Sequence, residues 1–217
     1  MAERSLIRGA AGAIEIAADV PEGAPVAVAV IAHPHPLFGG TMDNKVVTTV
    51  ERALRESGAA TYRFNFRGVG GTEGTHDNGH GETEDMLAVI EHARATHPRL
   101  PMWIAGFSFG GAVATLASNR VEFDRLVLVA PGFRRVAEGG METPIDPADP
   151  ALGPLGRHTF ENTLVVHGDL DDTVPLADSI AWAAAREVNV VVVPGGEHFF
   201  HRKLHPLRDA VSRWVRP

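Results

Sequence analysis

The stretch Met102-Trp-Ile-Ala-Gly106-Phe107-Ser108-Phe109-Gly110-Gly111-Ala112 decides the fold. It begins as an apolar strand, turns sharply at Gly106-x-Ser108-x-Gly110, and continues into a small-residue helix over Gly110–Ser118. The flanking glycines allow strand and helix to approach without Cβ clashes. Ser108 is thereby held in strained backbone with its hydroxyl above the sheet, as in a nucleophile elbow. The amide of Phe109, at the first turn of the helix, points to where an oxyanion would develop. With 23 Gly and 6 Ser in 217 residues, the pattern alone would arise by chance in roughly one such chain in fifteen. Its context must therefore carry the argument.

Outward from this unit, short β-branched runs alternate with helical patterns. The strands read as Ala13–Ala17, Val26–His33, Ala60–Phe66, Met102–Gly106, Arg125–Val129, Thr163–His167 and Val188–Val193. The runs at Val26 and Val188 are apolar on both faces, as parallel strands covered by helices on each side would be. Helical periodicity falls at Asn44–Ser57, Glu82–Ala95, Gly110–Ser118, Leu176–Arg186 and Leu204–Val215. This rhythm predicts an α/β fold: a mostly parallel, twisted sheet of about 7–8 strands with helices on both faces. No helix separates the first two strands, so they are expected to pair as an antiparallel edge. Residues 1–217 read as one domain, and Pro131–Phe160, rich in Gly, Pro and acidic residues, reads as an irregular excursion within it.

A serine nucleophile needs a base, and the base needs an orienting acid. Thr163-Leu-Val-Val-His167-Gly168-Asp169-Leu170-Asp171-Asp172-Thr173-Val174-Pro175 is a strand running into an acidic turn. Asp171 lies in the loop four residues before Pro175, which suits a first helical turn. Asp169 and Asp172 read as turn-forming or capping residues. His198, in Pro194-Gly195-Gly196-Glu197-His198-Phe199-Phe200, follows the last strand on a loop able to reach over the sheet. The order Ser108, Asp171, His198 fits a nucleophile elbow followed by its acid and its base. His201, one turn further on, reads as a cap or a solvent-facing residue.

Gly106-Phe-Ser108-Phe-Gly110, His167-Gly-Asp-Leu-Asp171-Asp-Thr-Val-Pro175 and Gly196-Glu-His198-Phe-Phe resemble the three active-site signatures of α/β-hydrolases. His33-Pro-His-Pro-Leu-Phe-Gly-Gly-Thr-Met-Asp-Asn-Lys45 and Arg63-Phe-Asn-Phe-Arg-Gly-Val-Gly70 narrow the likeness. Together they resemble the small, lidless bacterial α/β-hydrolases related to dienelactone hydrolases, over nearly the whole chain from Val26 to Arg213. The resemblance implies the α/β-hydrolase fold and a Ser-Asp-His triad of Ser108, Asp171 and His198, but supplies no substrate. Hydrolysis of a small-molecule carboxylic ester through an acyl-enzyme is the activity expected of such a triad. Dienelactone hydrolases use a Cys nucleophile; this chain has no Cys, so that activity does not carry over. One oxyanion donor would be the Phe109 amide. The second would come from the loop after His33, where Pro34 and Pro36 have no N–H. In relatives with His-Gly-x-Pro the donor is the x position, which corresponds to His35; Leu37 is the alternative.

Prolines at 131, 144, 147, 150 and 154 prevent a long helix in the excursion, and no amphipathic period survives there to pack a lid. The expected site is therefore open and shallow, walled by Leu37, Phe38, Phe107, Phe109 and Phe199, with a preference for short acyl chains. The remaining features are exclusions. A net charge of −7 and the lack of any basic cluster argue against nucleic-acid or anionic-membrane partners. The longest apolar run, Val26–Ala32, is far below the roughly 18–20 residues of a membrane helix, so a cytoplasmic protein is expected. Gly68-Val-Gly70-Gly-Thr-Glu-Gly74 lacks the helix that a dinucleotide loop requires, and no cofactor is expected. His33-x-His35 and His198-x-x-His201-x-x-x-His205 have ligand-like spacing, but no H-E-x-x-H is present and His198 is better used as a base. No metal is expected.

Overall fold

The computed structural model describes residues 2–137, 140–149 and 152–216. Met1, Pro217 and, within the predicted excursion, Pro150 lie outside the described residues. Eight strands form one sheet: β1 (Glu3–Gly9), β2 (Gly12–Asp19), β3 (Ala27–Ala32), β4 (Ala59–Phe64), β5 (Met102–Phe107), β6 (Arg125–Val129), β7 (Thr163–Gly168) and β8 (Asn189–Val193). Their order is β1-β2-β4-β3-β5-β6-β7-β8. All pairs from β4 onward in that order are parallel, whereas β1–β2 and β2–β4 are antiparallel.

The helices α1 (Lys45–Glu56), α2 (His80–Thr96), α3 (Phe109–Ser118), α4 (Leu176–Ala184) and α5 (Leu204–Val215) cover both faces. Side chains alternate across each strand. Val28, Val30 and Ala32 of β3, with Met102 and Ile104 of β5, pack toward α2 and α3. Ala27, Ala29 and Ile31, with Trp103, Ala105 and Phe107, pack toward α1 and α5. The central strands are thus buried on both faces, and their C-terminal ends converge on one edge of the sheet, where ligands of open α/β folds bind.

Two expectations need correction. The first two predicted strands do not pair with each other. Gly9 and Gly12 close a two-residue turn, and β2 pairs with β1 on one side and β4 on the other. Residues Glu3–Gly9 are mostly exposed and carry no buried stripe, so β1 was invisible as a core strand. β3, apolar on both faces, sits inside between β4 and β5. The run at Val188 is likewise not covered on both faces. β8 is the sheet edge, with Val191 and Val192 exposed.

Between β6 and β7 the described residues form no α-helix; they include the short 3₁₀ turns Phe133–Arg135 and Gly140–Glu142 and an isolated bridge between Leu155 and His158. Polar clamps hold this segment where helix ladders would otherwise do so. The buried Arg186 guanidinium lies over the Trp182 ring and donates to the carbonyls of Pro147, Leu152 and Gly153 at 2.8, 3.1 and 2.7 Å. His158 Nε2 meets Ser118 Oγ at 2.9 Å.

Candidate active site

Ser108 occupies the turn between β5 and α3 with φ 56° and ψ −120°. Glycine is obligatory beside it. A Cβ on Gly106 would lie 2.1 Å from the Gly110 carbonyl oxygen, and one on Gly110 would lie 2.3 Å from that of His33. The Ser108 amide bonds Val129 O on β6 at 2.9 Å, and its own carbonyl accepts from Gly111, Ala112 and Gly132. The serine backbone is therefore fixed from three sides. Its hydroxyl is the free element.

That hydroxyl lies 3.0 Å from His198 Nε2, and His198 Nδ1 lies 2.8 Å from Asp171 Oδ2. A carboxylate accepts only, so Nδ1 bears the proton and Nε2 is the acceptor for the serine O–H. Asp171 Oδ1 accepts the amides of Thr173 and Val174 at 2.9 and 2.8 Å. Burial alone would raise the Asp171 pKa. Hydrogen bonding from His167, His198 and Val174, with the field of His198, overrides it and holds the carboxyl well below its usual range. The neighbouring acids are spent elsewhere. Asp169 Oδ1 accepts Gly195 N–H at 2.6 Å, and Asp172 Oδ1 accepts from Thr173 Oγ1 at 3.2 Å.

The Phe109 amide opens α3 and, among the described residues, donates to no protein acceptor; the same holds for the His35 amide. Leu37 N–H is engaged by His35 Nδ1 at 3.3 Å. Its donor is thus committed within the loop, where the His35 ring caps the 3₁₀ turn Pro36–Phe38. His33 orders the same loop from below. Its Nδ1–H faces Pro34 O at 2.6 Å and its Nε2 accepts Phe66 N–H at 3.0 Å. Burial pushes the His33 pKa down to about 4. Burial, with the fields of His76 and Arg135, takes His35 to about 4 as well.

A cavity of about 160 Å³ opens over Ser108, lined by Phe38, Phe109, Phe199 and His35 among others. Two expected wall residues are not there. Leu37 faces solvent at 67% exposure, because its loop turns it outward. Phe107 is buried, its ring 5.0 Å from that of His198, and so supports the histidine from beneath. Sequence reasoning missed Arg134, Arg135 and Met141, which the irregular segment contributes to the cavity, and Asp178, which pairs with Arg134 at 2.6 and 2.9 Å. No periodic pattern marks these residues, because a Pro- and Gly-rich segment presents them. The Gly68–Gly74 turns engage Asn65 and Glu15. His201 is exposed and paired with Glu197. Among the described residues no group of three or more His, Asp or Glu is placed to hold a metal ion, and no helix is long and apolar enough to cross a membrane.

Residues 24–162 match the family described as serine aminopeptidase, S33. The chain belongs to this family of α/β serine hydrolases. A Xanthomonas campestris α/β serine hydrolase without a lid superposes on the hydrolase with a TM-score of 0.83 at 36% identity, covering 99% of this chain and 93% of that one. An α/β serine hydrolase homologue from Coxiella burnetii gives 0.82 at 35% identity, covering 98% and 97%. A Rickettsia prowazekii protein is 29% identical to the hydrolase over 198 residues, 87% of this chain and 78% of the relative.

Proposed function

We propose that the hydrolase cleaves carboxylic esters of short acyl chain through an acyl-enzyme. The observation that carries this reading is the unbroken series Ser108 Oγ, His198 Nε2, His198 Nδ1, Asp171 Oδ2, at 3.0 and 2.8 Å, beneath the cavity. Ser108 attacks the acyl carbon as His198 takes its proton. Asp171 keeps the imidazole in the required tautomer and stabilises its cation. The free amides of Phe109 and His35 receive the oxyanion. His198 then protonates the leaving alcohol and activates the water that clears the acyl group.

The family description also raises peptide cleavage from a free N-terminus. Such a substrate needs a carboxylate for its ammonium group. Asp178 is the cavity-lining carboxylate among the described residues, and Arg134 already neutralises it. Esters are therefore favoured. A cavity of about 160 Å³ buries only a few methylenes, at about 0.8 kcal/mol each, and chain beyond it adds no transition-state binding. The test is kcat/KM across p-nitrophenyl esters from acetate to palmitate, with aminoacyl p-nitroanilides alongside. The expected maximum lies at roughly C2 to C6. A maximum at C12 or longer, or faster anilide turnover, would overturn this reading.

A further inference from the structure

A second histidine sits against the Asp171 carboxylate, and the reaction as described does not use it. His167, near the end of β7, is fully buried. Its Nδ1 lies 2.8 Å from Ser179 Oγ on α4, and its Nε2 lies 3.1 Å from the Val174 carbonyl oxygen. The same Nε2 is 3.2 Å from Asp171 Oδ2. Neither a carbonyl nor a carboxylate can donate, so Nε2 carries the proton. It is aimed at the Val174 oxygen with the carboxylate beside it. Ser179 donates to the opposite nitrogen and so fixes this tautomer.

The arrangement ties the acid down twice. Val174, whose carbonyl His167 holds, gives its own N–H to Asp171 Oδ1 at 2.8 Å. Oδ2 meanwhile lies between two imidazoles, at 2.8 Å from His198 Nδ1 and 3.2 Å from His167 Nε2. A carboxylate offers about four lone-pair sites, and two amides and two rings address them here. Rotation of the carboxylate would forfeit these partners together in a buried site, where unpaired polar groups are costly.

We propose that His167 is a positioning residue: through its Nε2–H and the Val174 peptide it holds the Asp171 carboxylate in the orientation that His198 Nδ1 requires. This rests on the Ser108–His198–Asp171 reading above. It gives the histidine a role in the reaction beyond packing, although it never touches the substrate. A residue serving only the core would be matched by an apolar side chain of similar volume. A positioning residue needs the N–H.

The test compares His167→Leu, which fills the space without a donor, with His167→Gln, whose amide supplies an N–H at similar reach. Two rates are read on folded protein: phosphonylation of Ser108 by a fluorophosphonate, and turnover of p-nitrophenyl butyrate. In His167→Leu both phosphonylation and kcat are expected to fall on the order of 10-fold, the value of one hydrogen bond, with KM changed less than about 2-fold. His167→Gln is expected to recover to within about 3-fold of the parent. Wild-type rates in His167→Leu, or a Gln variant no better than Leu, overturn the inference. Should His167→Leu not fold, Ser179→Ala decides, because it frees the ring to change tautomer; unchanged phosphonylation there overturns the inference equally. If the parent is phosphonylated but cleaves no ester, the ester reading fails, and the phosphonylation comparison still decides the role of His167. If Ser108 of the parent is not phosphonylated at all, both fall.

Discussion

His33 Nε2 accepts the backbone N–H of Phe66 at 3.0 Å, so the ring that follows β3 also pins the chain leaving β4. The Nδ1–H of the same ring faces the Pro34 carbonyl at 2.6 Å. The ring can serve both only while neutral, since a proton on Nε2 would remove the acceptor. This ties the loop that presents the His35 amide to a titratable group.

Acid should therefore destabilise the fold through its buried histidines. Burial lowers the His33 pKa from 6.5 to about 4 and, with the fields of Arg186 and Arg157, that of His158 to about 3. Below pH 6.5 the unfolded chain takes up protons that the folded one refuses, so stability falls as pH drops through this window and is level above it. At pH 5 each histidine costs about 2 kcal/mol relative to pH 7.5. Asp171, held low, adds its loss only below its usual range. Urea midpoints at pH 7.5, 6 and 5 check this; equal or greater stability at pH 5 would refute it.

Ser108→Ala should abolish ester turnover, on the order of 10⁴-fold or more, since the members of such a triad act as a unit. The fold should survive. The serine side chain makes no helix-cap bond, and among the described residues its hydroxyl bonds His198 alone. Circular dichroism with a p-nitrophenyl acetate assay checks both halves. Near-parental turnover would reassign the nucleophile.

Asp171→Asn should cost roughly 10⁴-fold in kcat, because an amide turned toward His198 Nδ1 imposes the wrong tautomer. Asp169→Asn should cost little. Asp169 accepts one N–H, from Gly195 at 2.6 Å, and the Asn carbonyl can still accept it. The ratio of the two kcat values is the measurement, and comparable losses would move the acid two residues upstream.

The contrast between these acids shows what sequence can carry. Three Asp in four residues could be ranked only by turn logic. Separating them took the distances to His198 and to Gly195. The parallel strands were legible where each carried a dense β-branched run between helices; their order in the sheet was not, because pairing is set by non-local packing. The β1–β2 edge was not, because an exposed hairpin buries no stripe, and the partner of β2 is chosen by the geometry of the sheet. The proposal of His35 over Leu37 as oxyanion donor likewise rests on which amide the loop leaves unengaged. The cavity-lining Arg134, Arg135 and Met141 escaped notice because no periodic pattern marks them, and Arg134 is held by Asp178, which sits far away in sequence.

Gly110 gives the sharpest steric prediction. A Cβ there would stand 2.3 Å from the His33 carbonyl oxygen and 2.6 Å from that of Ala32, and both obstacles are backbone. No side chain can swing away, so Gly110→Ala must push the start of α3 off the end of β3. That shift moves the Phe109 amide and the loop after His33 apart, and these supply the two proposed oxyanion donors. Overpacking of this kind typically costs about 1–3 kcal/mol, and misplacing one oxyanion donor costs roughly 10²–10³-fold in kcat. Gly71→Ala is the matched control. The nearest atoms to its Cβ would be those of the Glu15 side chain, at 3.5 to 3.7 Å, ordinary contacts, and stability should hold or rise by up to about 1 kcal/mol. Urea midpoints and kcat for both variants decide it. If Gly110→Ala keeps parental kcat, the start of the helix is not what places the oxyanion.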